Sequence, residues 1–336
     1  MEVNPLEQTL THREPVRRVR VSADEAGMRL DRFLAHHNPG APVALVQRWL
    51  RTGQTRVDGA RASGNLRLES GQEVRIPPFA SREPPSSPAE AVPEWALRIL
   101  QGRILWRDRH LLVLDKPHGI PVHGGSGQSW GVVDGMRLLL AKEGTDEVPE
   151  LCHRLDKETS GCLLFALDKP SARKMQEAFK SGAVDKAYWA LIAGVPRAHT
   201  GVIEQPLIKG SARGGERMVI AGGVEGLSAR TRYRVLERLG EWALVVAHPD
   251  TGRTHQIRVH FQWLGHPLLG DEKYGDAALN KRLRRAGMKR MFLHAQEMRF
   301  RHPVTGEKQV VEAPLDAELE RMLAWCRRGA GQEERR

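Results

Sequence analysis

The segment His153-Arg154-Leu155-Asp156-Lys157-Glu158-Thr159-Ser160-Gly161 sets charged and polar residues on a turn, and positions 162–167 then read Cys, Leu, Leu, Phe, Ala, Leu. An apolar run of that length behind a glycine is a buried strand. The chain must therefore build a core around this strand and hold one carboxylate and one guanidinium at its mouth. Asp156 is the candidate nucleophile. A carboxylate needs neither a metal nor a base to react at neutral pH, provided that nearby positive charge and hydrogen bonds hold it ionised in a partly desolvated site. Taken singly, the same residues also fit a surface ion pair of Arg154 with Asp156 and a plain bend at Gly161.

At 336 residues the chain has room for two or three units and a sizeable core. Lys and Arg number 52 against 41 Asp and Glu, a formal charge of +11, which points to a polyanionic partner, nucleic acid first. Membrane surfaces compete, but no basic amphipathic helix with a wide apolar face is visible. Aromatic residues make up only 5%, which argues against nonspecific stacking on single strands. Cys152, Cys162 and Cys326 lack the paired spacing of a zinc site and are expected to be reduced and packed. Residues 1–20 are a polar tail without a signal-peptide core, and no window approaches the roughly 18 apolar residues of a membrane span. A cytoplasmic protein is expected, with a monomer as the default.

Composition divides the rest. Residues 21–77 predict a small α+β unit, with helices over 29–36 and 43–52 and strands over 55–58 and 73–76, punctuated by Gly53, Gly59 and Gly71. Residues 78–93 are rich in Pro, Ser, Ala and Glu and predict an extended linker. Residues 94–328 predict a larger mixed α+β unit rich in antiparallel strands, and 329–336 a polar tail. Within the larger unit a helix opens at Pro170 and closes at Lys180-Ser181-Gly182. The run 186–194, apolar on both parities, predicts a strand buried on both faces, with Tyr188 opposite Trp189. Strands over 230–236 and 242–247 turn at Gly240-Glu241, and a last helix starts near Leu315. Thr254 is the expected N-cap of a helix whose stripe is Ile257, Phe261 and Leu264, placing Arg258 at the edge of a packed face.

These motifs, position by position, resemble the RluA-type family of pseudouridine synthases. The likeness rests on the turn 153–161, on Lys186-Ala187-Tyr188, and on Gly252-Arg253-Thr254-His255-Gln256-Ile257-Arg258-Val259-His260, three separated segments in one order. The resemblance implies that Asp156 is the catalytic aspartate, that Tyr188 lies against the base and helps remove the C5 proton, and that Arg258 pairs with Asp156. It implies further that Arg154 fills the space left by a flipped nucleotide and that Leu293 packs near that base. The segments from His123-Gly124-Gly125 to Gly131-Val132-Val133-Asp134-Gly135 look like the C-type large-subunit enzymes of that family, which makes His123 a candidate substrate contact and 23S rRNA, free or in an assembling large-subunit particle, the expected partner. The smaller unit resembles the S4 RNA-binding domain, whose helices present basic side chains to phosphates, here Arg48, Arg51 and Arg56. The Gly-rich segment 209–226, with Arg213 and Arg217, is expected to be a loop that grips RNA.

No cofactor is implied, and the Gly-rich loop after Lys116 has neither a Walker nor a dinucleotide spacing. No metal is expected either: His255 and His260 are five apart, off the helical zinc spacing, and His153 and His266 bring no interleaved carboxylate. Three other readings stay open. One is a synthase acting on a different rRNA site set or on tRNA. Another is a noncatalytic RNA-binding assembly factor. The third is a glycoside hydrolase, which needs two carboxylates about 5 to 10 Å apart, with Glu158 the only second candidate nearby in sequence.

Overall fold

The computed structural model describes residues 13, 14, 16–38, 41, 43–80, 92–124, 129–145, 147–212, 215–222 and 225–328. The terminal stretches 1–12 and 329–336, the middle of the expected linker, Gly125-Ser126-Gly127 and Arg213 lie outside the described residues. The chain divides into two compact units, one within residues 1–91 and one built from 92–124 and 130–336.

In the smaller unit the helices Leu30–His37 and Val43–Arg51 pack on a three-stranded sheet ordered Arg17–Arg20, Glu73–Ile76, Arg56–Val57. Leu30, Phe33, Leu34, Val46, Trp49, Val57, Leu68, Val74 and Ile76 form its core. Both helices are amphipathic, so packing rather than propensity holds them. One expectation is corrected: the tail does not run to residue 20. Arg17–Arg20 pairs antiparallel with Glu73–Ile76, and Arg13–Glu14 with Phe79–Ala80. The Arg-Arg-Val-Arg sequence hides an edge strand because only Val19 packs against the core.

The larger unit is built on a ten-stranded sheet. Its path runs Thr200–Glu204, Arg230–Leu239, Trp242–Pro249, Asp185–Ala193, Leu293–Arg301, Ser160–Ala166, Leu111–Lys116, Ile104–Arg107, with Lys308–Glu312 and Glu150–Leu151 branching off. Among the described pairs only Leu293–Arg301 with Ser160–Ala166 is parallel, so the sheet is mixed and largely antiparallel, as expected. Every residue of Ser160–Ala166 is buried, in keeping with its apolar run. The parallel join brings Ser160 and Gly161 against His294 and Ala295. Gly161 has φ +105°, and a Cβ there would lie 2.3 Å from the Ala295 carbonyl oxygen. The glycine is thus required by the close approach of two strands, not by a bend alone.

A helix, Lys169–Lys180, returns from this strand; the Asp168 carboxylate caps it by accepting from the Ser171 amide at 2.7 Å. The strand Asp185–Ala193 then crosses the sheet, with Tyr188 buried and Trp189 packed against the core formed with the helix Ala317–Arg328. The segment expected as a Gly-rich loop is instead an antiparallel hairpin of Leu207–Ala212 with Gly215–Ile220. Leu207 and Met218 pack with Ala229, Val259 and Tyr274, which gives the hairpin an apolar inner face that its glycines obscure in the sequence. Among the described residues no helix is long and apolar enough to cross a membrane.

Candidate active site

A cleft in the larger unit opens where the turn before Ser160–Ala166 meets the helix Gln256–Trp263. It is lined by His153, Arg154, Asp156, Lys186, Tyr188, Leu293, the segment 251–258 and their neighbours. Five of the residues singled out in the sequence, Asp156, Tyr188, Arg258, Arg154 and Leu293, come together there from four distant segments. His123 does not: it is exposed and is not among the residues lining the cleft. Arg48, Arg51 and Arg56 are exposed on the smaller unit.

The turn carrying Asp156 is held from both sides. Thr159 donates its amide to the Asp156 carbonyl at 3.1 Å. The Lys116 ammonium, wholly buried, donates to the carbonyls of Pro117, Lys157 and Thr159 at 2.8, 3.1 and 2.8 Å. Burial pushes the pKa of Lys116 down to about 7. At the other end His153 accepts the Leu164 amide through Nε2 at 3.0 Å and stacks on Phe179 at 4.3 Å. Burial lowers its pKa to about 3, so it stays neutral and serves as an anchor. With its neighbours pinned, the Asp156 side chain projects into the cleft, 22% exposed.

Arg258 has a second partner, closer than the Asp156 that the resemblance implies. Its Nη1 stands 3.8 Å from Asp156 Oδ2, but Nε and Nη2 form a two-pronged pair with Asp271, both at 2.7 Å. Asp271 Oδ1 also accepts the amides of Lys273 and Tyr274 at 2.9 and 3.0 Å. Burial acts to raise the Asp271 carboxyl, yet the hydrogen bonds and charge of Arg258 and these amides outweigh it and hold the pKa below its ordinary value. The Arg258 guanidinium also lies over the Tyr274 ring, 5.0 Å from its centroid. Asp271 and Tyr274 were missed in the sequence because Leu268-Leu269-Gly270-Asp271-Glu272-Lys273-Tyr274-Gly275 carries no spacing that ties it to the helix before it.

The helix itself starts one residue later than expected. His255, not exposed Thr254, is the N-cap; its φ is +54°, in the left-handed region. Gln256 closes the entry, accepting the Thr251 hydroxyl at 2.7 Å and the Arg253 amide at 3.1 Å. His255 Nε2 faces Asp156 Oδ2 at 3.8 Å. Tyr188 lies wholly inside, and burial, followed by the charge of Asp156, raises its hydroxyl far above the ordinary value. Its phenol therefore stays protonated and offers a flat apolar face.

Glu158 contacts His118 at 2.7 Å and is not among the cleft-lining residues, so it offers no second carboxylate there. His260 is tied to Thr231 and the Gln205 carbonyl, and His266 to the Ala193 carbonyl, so the four histidines weighed as metal ligands do not converge. Among the described residues one group has the atoms for a metal, Glu25, His36 and His37 in the smaller unit, where His37 Nε2 already meets Glu25 at 2.7 Å.

Comparison with known proteins resolves what this cleft belongs to. Residues 110–263 match the sequence pattern of the RNA pseudouridylate synthase family. The ribosomal large subunit pseudouridine synthase C of Salmonella typhi is 43% identical over 319 residues, 93% of this chain and 97% of that protein. This chain belongs to the RNA pseudouridylate synthase family. The protein of the same name from Escherichia coli K12 is 42% identical over the same shares of both chains. Among solved structures, Human RNA Pseudouridylate Synthase Domain Containing 4 superposes with a TM-score of 0.58 at 31% identity, covering 69% of this chain and 95% of that one. As a pseudouridine synthase the chain is an isomerase: it breaks the N1–C1′ bond of a uridine, turns the uracil and rejoins it through C5.

Proposed function

We propose that this pseudouridine synthase modifies uridines of 23S rRNA in the large ribosomal subunit, with Asp156 as its catalytic carboxylate. The observation that carries the reading is the convergence of Asp156, Tyr188, Arg258, Arg154 and Leu293 on one cleft. The names of the relatives at 42–43% identity favour the large-subunit substrate.

The roles are those that the family resemblance implies, and the shared cleft supports them. The target nucleotide leaves its helix at a loss of a few kcal/mol in stacking and pairing. Exposed Arg154, two residues before Asp156, fills the gap and stacks on the neighbouring bases. The extruded uracil lies between Tyr188 and Leu293, apolar walls that leave its edge free to turn. Asp156, beside the cationic Arg258, attacks the sugar or the base or takes the C2′ proton, and the glycosidic bond breaks. The C5 proton leaves once the new carbon–carbon bond has formed, near Tyr188. The chemistry uses no cofactor and no metal. Arg48, Arg51 and Arg56 supply phosphate contacts that fix register without reading sequence. The enzyme works as a cytoplasmic monomer; its three cysteines are free and buried, their thiols pushed up to about 12 by burial, as suits a reducing compartment.

The test is incubation of the wild type and Asp156→Asn with unmodified 23S rRNA fragments, mapping pseudouridine by carbodiimide labelling and primer-extension stops. Stops made only by the wild type support the reaction and the residue together. Stops made by both proteins refute the role of Asp156, and none from either refutes the substrate.

A further inference from the structure

His255 has no part in the scheme above, yet its geometry is unusual on three counts. It is a non-glycine residue in the left-handed region, a conformation that costs roughly 1 kcal/mol and persists only where the surroundings impose it. Its imidazole makes no capping hydrogen bond to the helix and stands instead opposite the Asp156 carboxylate, at 3.8 Å. Both of its ring nitrogens are also accounted for: Nε2 faces Asp156, and Nδ1 meets the Tyr274 hydroxyl at 2.7 Å.

The tautomer follows from the next link outward. The Tyr274 hydroxyl oxygen accepts the Met218 amide of the hairpin at 3.0 Å. An amide N–H can only donate, so it occupies a lone pair of that oxygen. With one lone pair so occupied, the arrangement that also uses the hydroxyl proton gives it to His255 Nδ1, an acceptor within reach at 2.7 Å, and puts the proton of the neutral imidazole on Nε2, facing the carboxylate. Burial holds the imidazole below its ordinary pKa, so the neutral form prevails at pH 7.

Arg258 Nη1 and His255 Nε2 both stand 3.8 Å from the same atom, Asp156 Oδ2. That is beyond hydrogen-bonding distance, and a small rotation of the carboxylate closes it, as donors in unliganded active sites tighten on binding. We propose that His255 is a positioning residue for Asp156: with Arg258 it holds Oδ2 and leaves Oδ1 to the substrate, and the Tyr274–Met218 contact keeps it in the Nε2–H tautomer this requires. A neutral donor orients the carboxylate without adding a second positive charge that would blunt its reactivity. The inference rests on the role of Asp156 given above.

The test uses the full chain and two readouts. The first is single-turnover pseudouridine formation on the 23S rRNA fragments, with RNA affinity measured in parallel. His255→Ala lowers the rate constant on the order of 10²-fold, the worth of one preorganised donor, with the Kd within a few fold. His255→Gln restores most of the rate, because its side-chain amide supplies an N–H at similar reach. Tyr274→Phe, which keeps the ring but frees the tautomer, lowers the rate about tenfold, the worth of one hydrogen bond. The second readout is the ¹H–¹⁵N long-range spectrum of histidine-labelled protein, the His255 signals assigned by their loss in His255→Gln. The wild type shows Nε2 protonated and Nδ1 bare, and Tyr274→Phe shows a mixture. A wild type that turns over while His255→Ala keeps pace, or a spectrum with the proton on Nδ1, overturns the inference alone. A wild type that forms no pseudouridine overturns the proposed function with it.

Discussion

Arg258, on the helix Gln256–Trp263, and Arg48 and Arg51, on the helix Val43–Arg51, are the same side chain in opposite surroundings. Arg258 has a side chain only 6% exposed, gripped by Asp271 through two hydrogen bonds and backed by an aromatic ring. Arg48 and Arg51 are exposed on the polar side of an amphipathic helix. The first arrangement gives up hydration for direction: a buried charge is tolerable only with a partner, and the partner then fixes where its free edge points. The second keeps hydration and mobility, which suits phosphates whose positions vary along an RNA. The proposed function assigns chemistry to one unit and affinity to the other, and each assignment can be tested by its own failure.

Asp156→Asn should have the largest effect, a fall in turnover on the order of 10⁴-fold or more with RNA affinity within a few fold. Measurable turnover near the wild-type rate would place the chemistry elsewhere in the cleft. Asp271→Ala comes next. It strands the Arg258 charge in a buried site and should cost about 3–5 kcal/mol, read from the urea midpoint. Because the Asp271 carboxyl is held below its ordinary value, its contribution is complete at pH values above that ordinary value, 3.8, and is lost as pH falls through the folded-state value. The variant should accordingly show a flatter stability profile in acid than the wild type. Equal stability of the two would mean that Arg258 finds water or another partner when Asp271 is gone.

Arg48→Ala, Arg51→Ala and Arg56→Ala combined should weaken RNA binding roughly tenfold and reduce the slope of log K against log salt by about 2 to 3, while the single-turnover rate at saturation holds. An unchanged slope would reduce the smaller unit to a spacer. The smallest effect is on acid stability through His153. Its pKa falls from 6.5 unfolded to about 3 folded, so the neutral ring stabilises the fold above pH 6.5, and that contribution is lost as pH falls toward 3. Between pH 6.5 and 5.5 the wild type should lose about 1 kcal/mol more than His153→Phe, measured by denaturant titration at each pH. Parallel profiles would show that His153 is hydrated rather than packed.

Elements with a strong local pattern were legible in the sequence. The apolar run after Gly161 is a fully buried strand, Pro170 opens its helix behind the Asp168 cap, and Gly240-Glu241 turns the hairpin between Arg230–Leu239 and Trp242–Pro249. Each is decided by residues within a few positions of one another. What was misread depended on distant partners. Arg17–Arg20 is a strand because Glu73–Ile76 lies beside it. The segment around Lys209 is a hairpin because Val259 and Tyr274 wait beneath Leu207 and Met218. His255 rather than Thr254 caps the helix, with a hydrogen bond to Tyr274, 19 residues on, holding its side chain.

The sequence by itself determined the family, because three ordered motifs carry side chains that meet in one cleft. It determined the larger unit's mixed sheet as well, because its strands are written in runs too apolar to leave in water. Only the tertiary structure decided that Arg258 answers first to Asp271, and that Tyr274 and the Met218 amide stand behind His255. Such contacts depend on which buried polar groups are left to satisfy one another once the sheet has closed, and that depends on packing across the whole unit rather than on any local spacing.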